Sequence, residues 1–92
     1  MKITDKKLAI KKIKEDPFAL EYVSKELRSN EDVVLVAITQ NGYALQFASD
    51  ELRNNIKVVL TAVRQNGVAL QFVSKELRTA IVAYQELTNN LK

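Results

Sequence analysis

The chain contains no histidine, no cysteine and no tryptophan. Without histidine it lacks the side chain most often used for general acid–base catalysis. Without cysteine it has no thiolate nucleophile and no disulfide framework. Zinc sites built on His or Cys, and a Ser-His-Asp arrangement, are excluded for the same reason. Only two glycines are present, Gly42 and Gly67, and both sit in one repeated context, so there is no glycine-rich phosphate loop. No apolar run approaches the ~20 residues of a membrane span; the longest is Val33–Ile38. The N-terminal stretch is charged and has no continuous apolar segment, so it does not read as a secretory signal. The expected compartment is the cytoplasm, either of the producing cell or of a host into which the protein is delivered. These absences predict a protein that is not an enzyme, holds no cofactor and has no catalytic or metal site.

Ninety-two residues with 47% hydrophobic side chains fit one small folded domain rather than a disordered chain. A chain of this size buries roughly 60–65% of its unfolded surface, so it folds with little stability in reserve. Net charge is +3 but unevenly placed. Residues 1–14 hold six lysines against Asp5, a balance of +5, whereas the other 78 residues carry eight basic and ten acidic side chains. The basic character is therefore local.

What the sequence does have is an internal repeat. Residues 29–53 and 54–78 align without a gap, and 16 of 25 positions are identical. A degraded copy occupies residues 4–28, matching at Ile13, Ala19, Leu20, Ser24, Glu26, Leu27 and Arg28. Val23–Arg28 recurs letter for letter as Val73–Arg78. After Arg78 comes a half-unit, 79–92, with Ile81, Tyr84, Leu87 (or Thr88) and Leu91 at helical spacing. It reads as a terminal cap, since end units of arrays are atypical. The expected organisation is one helical-repeat domain over 1–92, with units 4–28, 29–53 and 54–78 and a cap at 79–92.

Asn-Gly between apolar runs, and the β-branched Val33–Ile38, offer a β-hairpin alternative. The differences between copies favour helix. Positions 32/57 (Asp/Lys), 36/61 (Val/Thr) and 39/64 (Thr/Arg) are spaced i, i+4, i+7, one stripe of a helix, with retained positions 34, 37, 38 and 41 on the other side. Ser29 and Asn30 suit the N-cap of a helix starting near Glu31. Gly42 and Gly67 suit a left-handed position after a helix. In the degraded copy, Asp16-Pro17 starts the next helix by another route. Ala44, Leu45, Ala48 and Leu52 follow i, i+4, i+8, which predicts a second helix; the alternative is that Ser49 and Ser74 interrupt it and cap a short final turn. The predicted helices run near 5–15, 18–27, 31–40, 43–52, 56–65, 68–77 and 80–90. The fold class is all-α, a short right-handed αα-superhelix (solenoid-like) of about three helix-turn-helix repeats plus a C-terminal capping helix.

The pattern (N/D)-x-x-V-V-L-x-A-(V/I)-x-Q-N-G-x-A-L-Q-F-x-S-x-E-L-R in the two clear copies resembles the repeat of a "domain of unknown function" family, number 4116. The first copy departs from it at Asp16-Pro17 and in its Lys-rich helix. The resemblance implies a tandem helical repeat of bacterial proteins, including those of intracellular bacteria, and of some viruses and protists. It implies no activity, cofactor or site residue.

Most recurrent polar residues read as structural. Asn41, Gly42, Asn66 and Gly67 read as helix termination. Gln40, Gln65, Gln46 and Gln71 read as hydrogen bonds across the stack, and Glu51 and Glu76 as partners or caps beside Arg53 and Arg78. Tyr22, Phe47 and Phe72 share one repeat position and read as core rather than as a base-stacking ladder. Tyr43 and Tyr84 do not recur as aromatics and read as surface contacts. The functional expectation falls on the variable stripe: Lys7, Lys11 and Lys14, then Asp32, Val36 and Thr39, then Lys57, Thr61 and Arg64. Side-by-side helices make these nine one surface, with five basic residues and one acidic. The leading expectation is a protein–protein interaction or scaffold module binding an acidic or amphipathic segment there. The alternatives are nucleic-acid binding through Lys7, Lys11, Lys14, Lys57 and Arg64, or attachment of the N-terminal helix to an anionic membrane surface. Against the last, Ile10 and Ile13 map onto the core positions Leu35 and Ile38. No oligomeric state follows from the sequence.

Overall fold

In the computed structural model, which describes residues 2–90, the α-helices are α1 (Lys6–Glu15), α2 (Lys25–Arg28), α3 (Glu31–Gln40), α4 (Ile56–Gln65) and α5 (Lys75–Asn90). No strand occurs among the described residues; Ile3 and Val23 form an isolated parallel bridge. α1, α3 and α4 are the first segments of the three copies, and each is ten residues long. Each begins at a capping side chain. Asp5 accepts from the Lys7 N–H at 3.2 Å, Asn30 from the Val33 N–H at 3.2 Å and Asn55 from the Val58 N–H at 3.1 Å. Such caps satisfy amide groups that the first helical turn leaves free.

Each of these helices also ends in the same way. Asp16, Asn41 and Asn66 are extended, with φ of −152°, −154° and −154°. Their side chains accept from the N–H groups of Phe18, Tyr43 and Val68 at 3.0, 2.9 and 3.0 Å. One residue thus stops an α-helix and caps the segment that follows. This corrects the expectation for the glycines, because no described residue has a positive φ. Gly42 is needed for space instead. A Cβ there would lie 2.2 Å from the Ala62 carbonyl oxygen, while one at Gly67 would meet nothing within 4 Å. Gly42 lets the backbone of one unit touch the next helix, and Gly67 has no such neighbour.

The expected second helices near 18–27, 43–52 and 68–77 are not continuous. Pro17–Tyr22, Gly42–Phe47 and Gly67–Phe72 are 3-10 helices, and each ends at an extended Val23, Ala48 or Val73. The serines then interrupt, as the alternative reading had it. Ser24, Ser49 and Ser74 each accept from the N–H three residues on, at 3.3 Å. The i, i+4, i+8 spacing misled because the buried residues also fit a period of three. Leu20 and Val23, like Gly42, Leu45 and Ala48, repeat at the spacing that a 3-10 turn brings into line.

The third copy departs at its end. Where Asn30 and Asn55 start a new helix, the equivalent residue is Ala80. With no cap to break the chain, α5 runs 16 residues through the boundary. The separate helix expected at 80–90 is therefore the second part of α5. Ile81 is buried, but Tyr84 and Leu87 are exposed, so the packing expected of a cap is not made by these two residues. Leu91 lies outside the described residues.

α3 packs against α1 on one side and α4 on the other, and the 3-10 segments pack beneath in the same order. The core runs along this row through Ile13, Leu20, Val34, Ile38, Leu45 and Val59, all fully buried. The molecule measures 48 × 22 × 17 Å along its principal axes. At the N-terminal end, Ile3 donates to the Tyr22 carbonyl and accepts from the Ser24 N–H at 2.7 Å. Arg28, 25 residues later, accepts from Ser49 at 3.0 Å in the same way. Ile3 thus plays toward the first copy the backbone role that Arg28 plays toward the second.

Gly42→Ala is expected to lower stability in urea unfolding by about 2–4 kcal/mol, because a backbone carbonyl has to move. Gly67→Ala, in open space, is expected to stay within about 0.5 kcal/mol of the parent or to stabilise slightly. Equal effects at the two glycines would contradict the contact.

Candidate functional site

The variable stripe crosses α1, α3 and α4, but its nine residues are not equivalent. Lys7, Lys11, Lys14, Asp32, Thr39, Lys57 and Arg64 are exposed, whereas Val36 and Thr61 are half-buried. Val36 packs against the core. The hydroxyls of Thr39 and Thr61 donate back to the carbonyls of Leu35 and Lys57, each at 2.8 Å, as helical threonines do when turned toward their own backbone.

Two charged members are occupied at the junctions between copies. Lys6 on α1 pairs with Asp32 on α3 at 3.4 Å, and Glu31 on α3 pairs with Lys57 on α4 at 3.7 Å. Both pairs join equivalent positions, with the polarity reversed from one junction to the next. Arg64 stands apart, beside a groove between α4 and α5. That leaves Lys7, Lys11 and Lys14, which lie on one face of α1, exposed, with no ion pair among the described residues. The basic surface is therefore concentrated at the α1 end rather than spread over nine residues.

The recurrent glutamines do bridge the copies. Gln40 donates to the Ile13 carbonyl at 3.1 Å, and Gln65 donates to the Gln40 carbonyl at 3.1 Å while accepting from the Gly42 N–H. Gln46 instead donates locally to the Tyr43 carbonyl, at 3.2 Å. Arg53 pairs with Asp50, not with Glu51, and reaches toward the Phe72 carbonyl of the next unit at 3.5 Å. Glu51 and Glu76 form no ion pair among the described residues, which corrects their expected role as partners of Arg53 and Arg78.

The aromatic expectations need two further corrections. Phe47 packs edge-on against Phe18, with ring centroids 6.2 Å apart, and Phe72 against Tyr43 at 5.1 Å. Each aromatic leans back on the residue after the turn in the preceding copy. Tyr43 is therefore half-buried packing rather than a free surface contact. Tyr22 makes no such aromatic contact among the described residues and is 59% exposed, outside the core where it was expected. Tyr84 is exposed as expected.

Ile13 is fully buried and Ile10 half-buried against the core, so α1 does not offer these residues to a membrane. Among the described residues no helix is long and apolar enough to cross one. The C-terminal end carries a feature that sequence reasoning missed. Ile56, Leu60 and Val63 of α4 face Leu77, Ile81 and Tyr84 of α5 across a groove of 430 Å³. Its signal was legible as the apolar Ile56 where the earlier copies have Lys6 and Glu31.

A family described as "Domain of unknown function (DUF4116)" matches residues 5–53 and again residues 30–78, overlapping in the middle copy. No curated protein and no solved structure matches the chain.

The reversed pairs predict a specific coupling. A double-mutant cycle on Glu31 and Lys57, by urea unfolding, is expected to give under about 1 kcal/mol, as for exposed pairs generally. The charge swap Glu31→Lys with Lys57→Glu is expected to be more stable than Lys57→Glu alone.

Proposed function

The chain belongs to the family described as a domain of unknown function (DUF4116), and from that premise we propose that it is a non-enzymatic interaction or scaffold module. In this reading the units at 4–28, 29–53 and 54–78 form one helical-repeat domain, stacked as a short right-handed αα-superhelix. The side-by-side order of α1, α3 and α4 and the recurring caps support that arrangement. Extended faces of stacked repeats commonly serve as docking surfaces.

The observation that carries the reading is the free lysine face of α1. Lys6, Lys12 and Lys57 have carboxylates within 4 Å, but Lys7, Lys11 and Lys14 have none among the described residues. Three like charges on consecutive turns repel one another, and an acidic partner segment would relieve that repulsion. Binding needs no chemistry from this chain, which agrees with its lack of histidine and cysteine.

The test is charge reversal of Lys7, Lys11 and Lys14 to Glu in the full chain. Capture of an acidic partner is expected to be lost while the circular dichroism spectrum is kept, because all three side chains are exposed. Unchanged capture would remove this surface. The same lysines would serve nucleic-acid binding, and salt separates the two readings. Phosphate neutralisation by three lysines predicts a log–log salt slope of about −2 to −3 on single or double strands. Absence of binding to a mixed-sequence oligonucleotide at low salt excludes that alternative.

A further inference from the structure

The groove between α4 and α5 is an unfilled copy of an interface the chain makes twice. Ile56, Leu60 and Val63 are the repeat equivalents of Glu31, Leu35 and Ile38 on α3, and of Lys6, Ile10 and Ile13 on α1. On α1 that side receives α3, and on α3 it receives α4. On α4 it receives no helix lying alongside in the same way, and Ile56 is 52% exposed.

The matching half lies on the same chain. Counting by 25, residues 81–90 stand where a fourth unit would have its first helix. Ala83, Tyr84 and Leu87 then correspond to Val58, Val59 and Ala62, the three residues α4 buries. Yet Tyr84 is 67% exposed and Leu87 60% exposed. Because Ala80 replaces the capping asparagine, α5 runs on as one helix, and Ile81 and Tyr84 of this segment stand across the groove from α4 rather than packed closely against it as α4 is against α3. An apolar acceptor face on α4 and an apolar donor face on α5 are thus both left partly open, with Tyr84 at the edge of the groove and Leu87 outside its lining.

We propose that the groove is a self-association site, filled by residues 81–90 of a second copy of the chain in a reciprocal exchange. Helix exchange of this kind closes with two-fold symmetry, each chain giving and receiving the same segment. The contact continues the pattern of the α1–α3 and α3–α4 junctions. The other exposed first-helix face, that of α1, does not fit. Lys12 stands there where α3 and α4 have Ala37 and Ala62, and it would bring a charged stem into an apolar groove beside Arg64.

Sedimentation equilibrium of the full chain tests this. The expected species has twice the 10.4 kDa mass of the chain. Leu87→Glu is expected to raise the dissociation constant by at least about tenfold and to leave the helical spectrum unchanged, since Leu87 is exposed in the single chain. The chain has no cysteine, so Leu60→Cys on one copy and Leu87→Cys on another, mixed and oxidised, are expected to give a disulfide between chains. The proposal is overturned by a mass of 10.4 kDa at all concentrations up to about 100 μM, or by a dimer that Leu87→Glu does not weaken. It is also overturned if the double variant Leu60→Cys with Leu87→Cys closes its disulfide only within one chain.

Discussion

One extended residue at the end of each ten-residue helix governs the rest of the structure. Asp16, Asn41 and Asn66 hold nearly the same φ and ψ and the same side-chain hydrogen bond to an N–H two residues on. That bond turns the chain out of an α-helix into a 3-10 segment without using a left-handed residue. Everything downstream inherits its geometry. The 3-10 segment brings residues three apart into line and so presents Leu20 and Leu45 to the core. The serine that follows ends the unit and frees Asn30 or Asn55 to begin the next. Because the bond needs only a short side chain with an acceptor oxygen, Asp and Asn serve equally. The following position accepts either Pro17 or Gly42, provided it is compact enough for its own junction.

The parts of this fold that were legible in the sequence are those set by identity at a fixed position. The three first helices and their short polar caps recur because each copy needs the same bond at the same place. What was not legible was the second segment. Ala44, Leu45, Ala48 and Leu52 are buried as their spacing implied, yet they are buried by a 3-10 turn and a break rather than by one helix. Apolar spacing reports which side chains are inside, and over ten residues two periods share several of the same positions. Gly42 and Gly67 show a second limit. They are identical letters with different roles, and only the presence of a neighbouring unit distinguishes them.

The candidate surface shows the same division. Seven of the nine residues in the stripe are exposed, while Glu31 and Ile56, which also differ between the copies, lie outside it. Exposure alone did not separate residues that pair across junctions from those that remain open. Lys57 and Asp32 are engaged with the adjacent copy, while Lys7, Lys11 and Lys14 are not. Ala80 carries the corresponding lesson at the other end of the chain. Its effect comes from what it lacks, since the missing acceptor oxygen removes a helix boundary and fuses two segments into α5.

Copies this alike pose a problem during folding, and the reversed junction pairs bear on it. A chain with 16 of 25 residues repeated can stack its helices in the wrong order at little cost in apolar contact. Here the first junction sets Lys6 against Asp32 and the second sets Glu31 against Lys57. If α1 skipped α3 and stacked on α4, Lys6 would meet Lys57, and if two chains paired through α3, Glu31 would meet Asp32. Both of these wrong neighbours bring like charges together where the right ones bring opposites. Two surface pairs that add little to stability thereby disfavour these two misorderings.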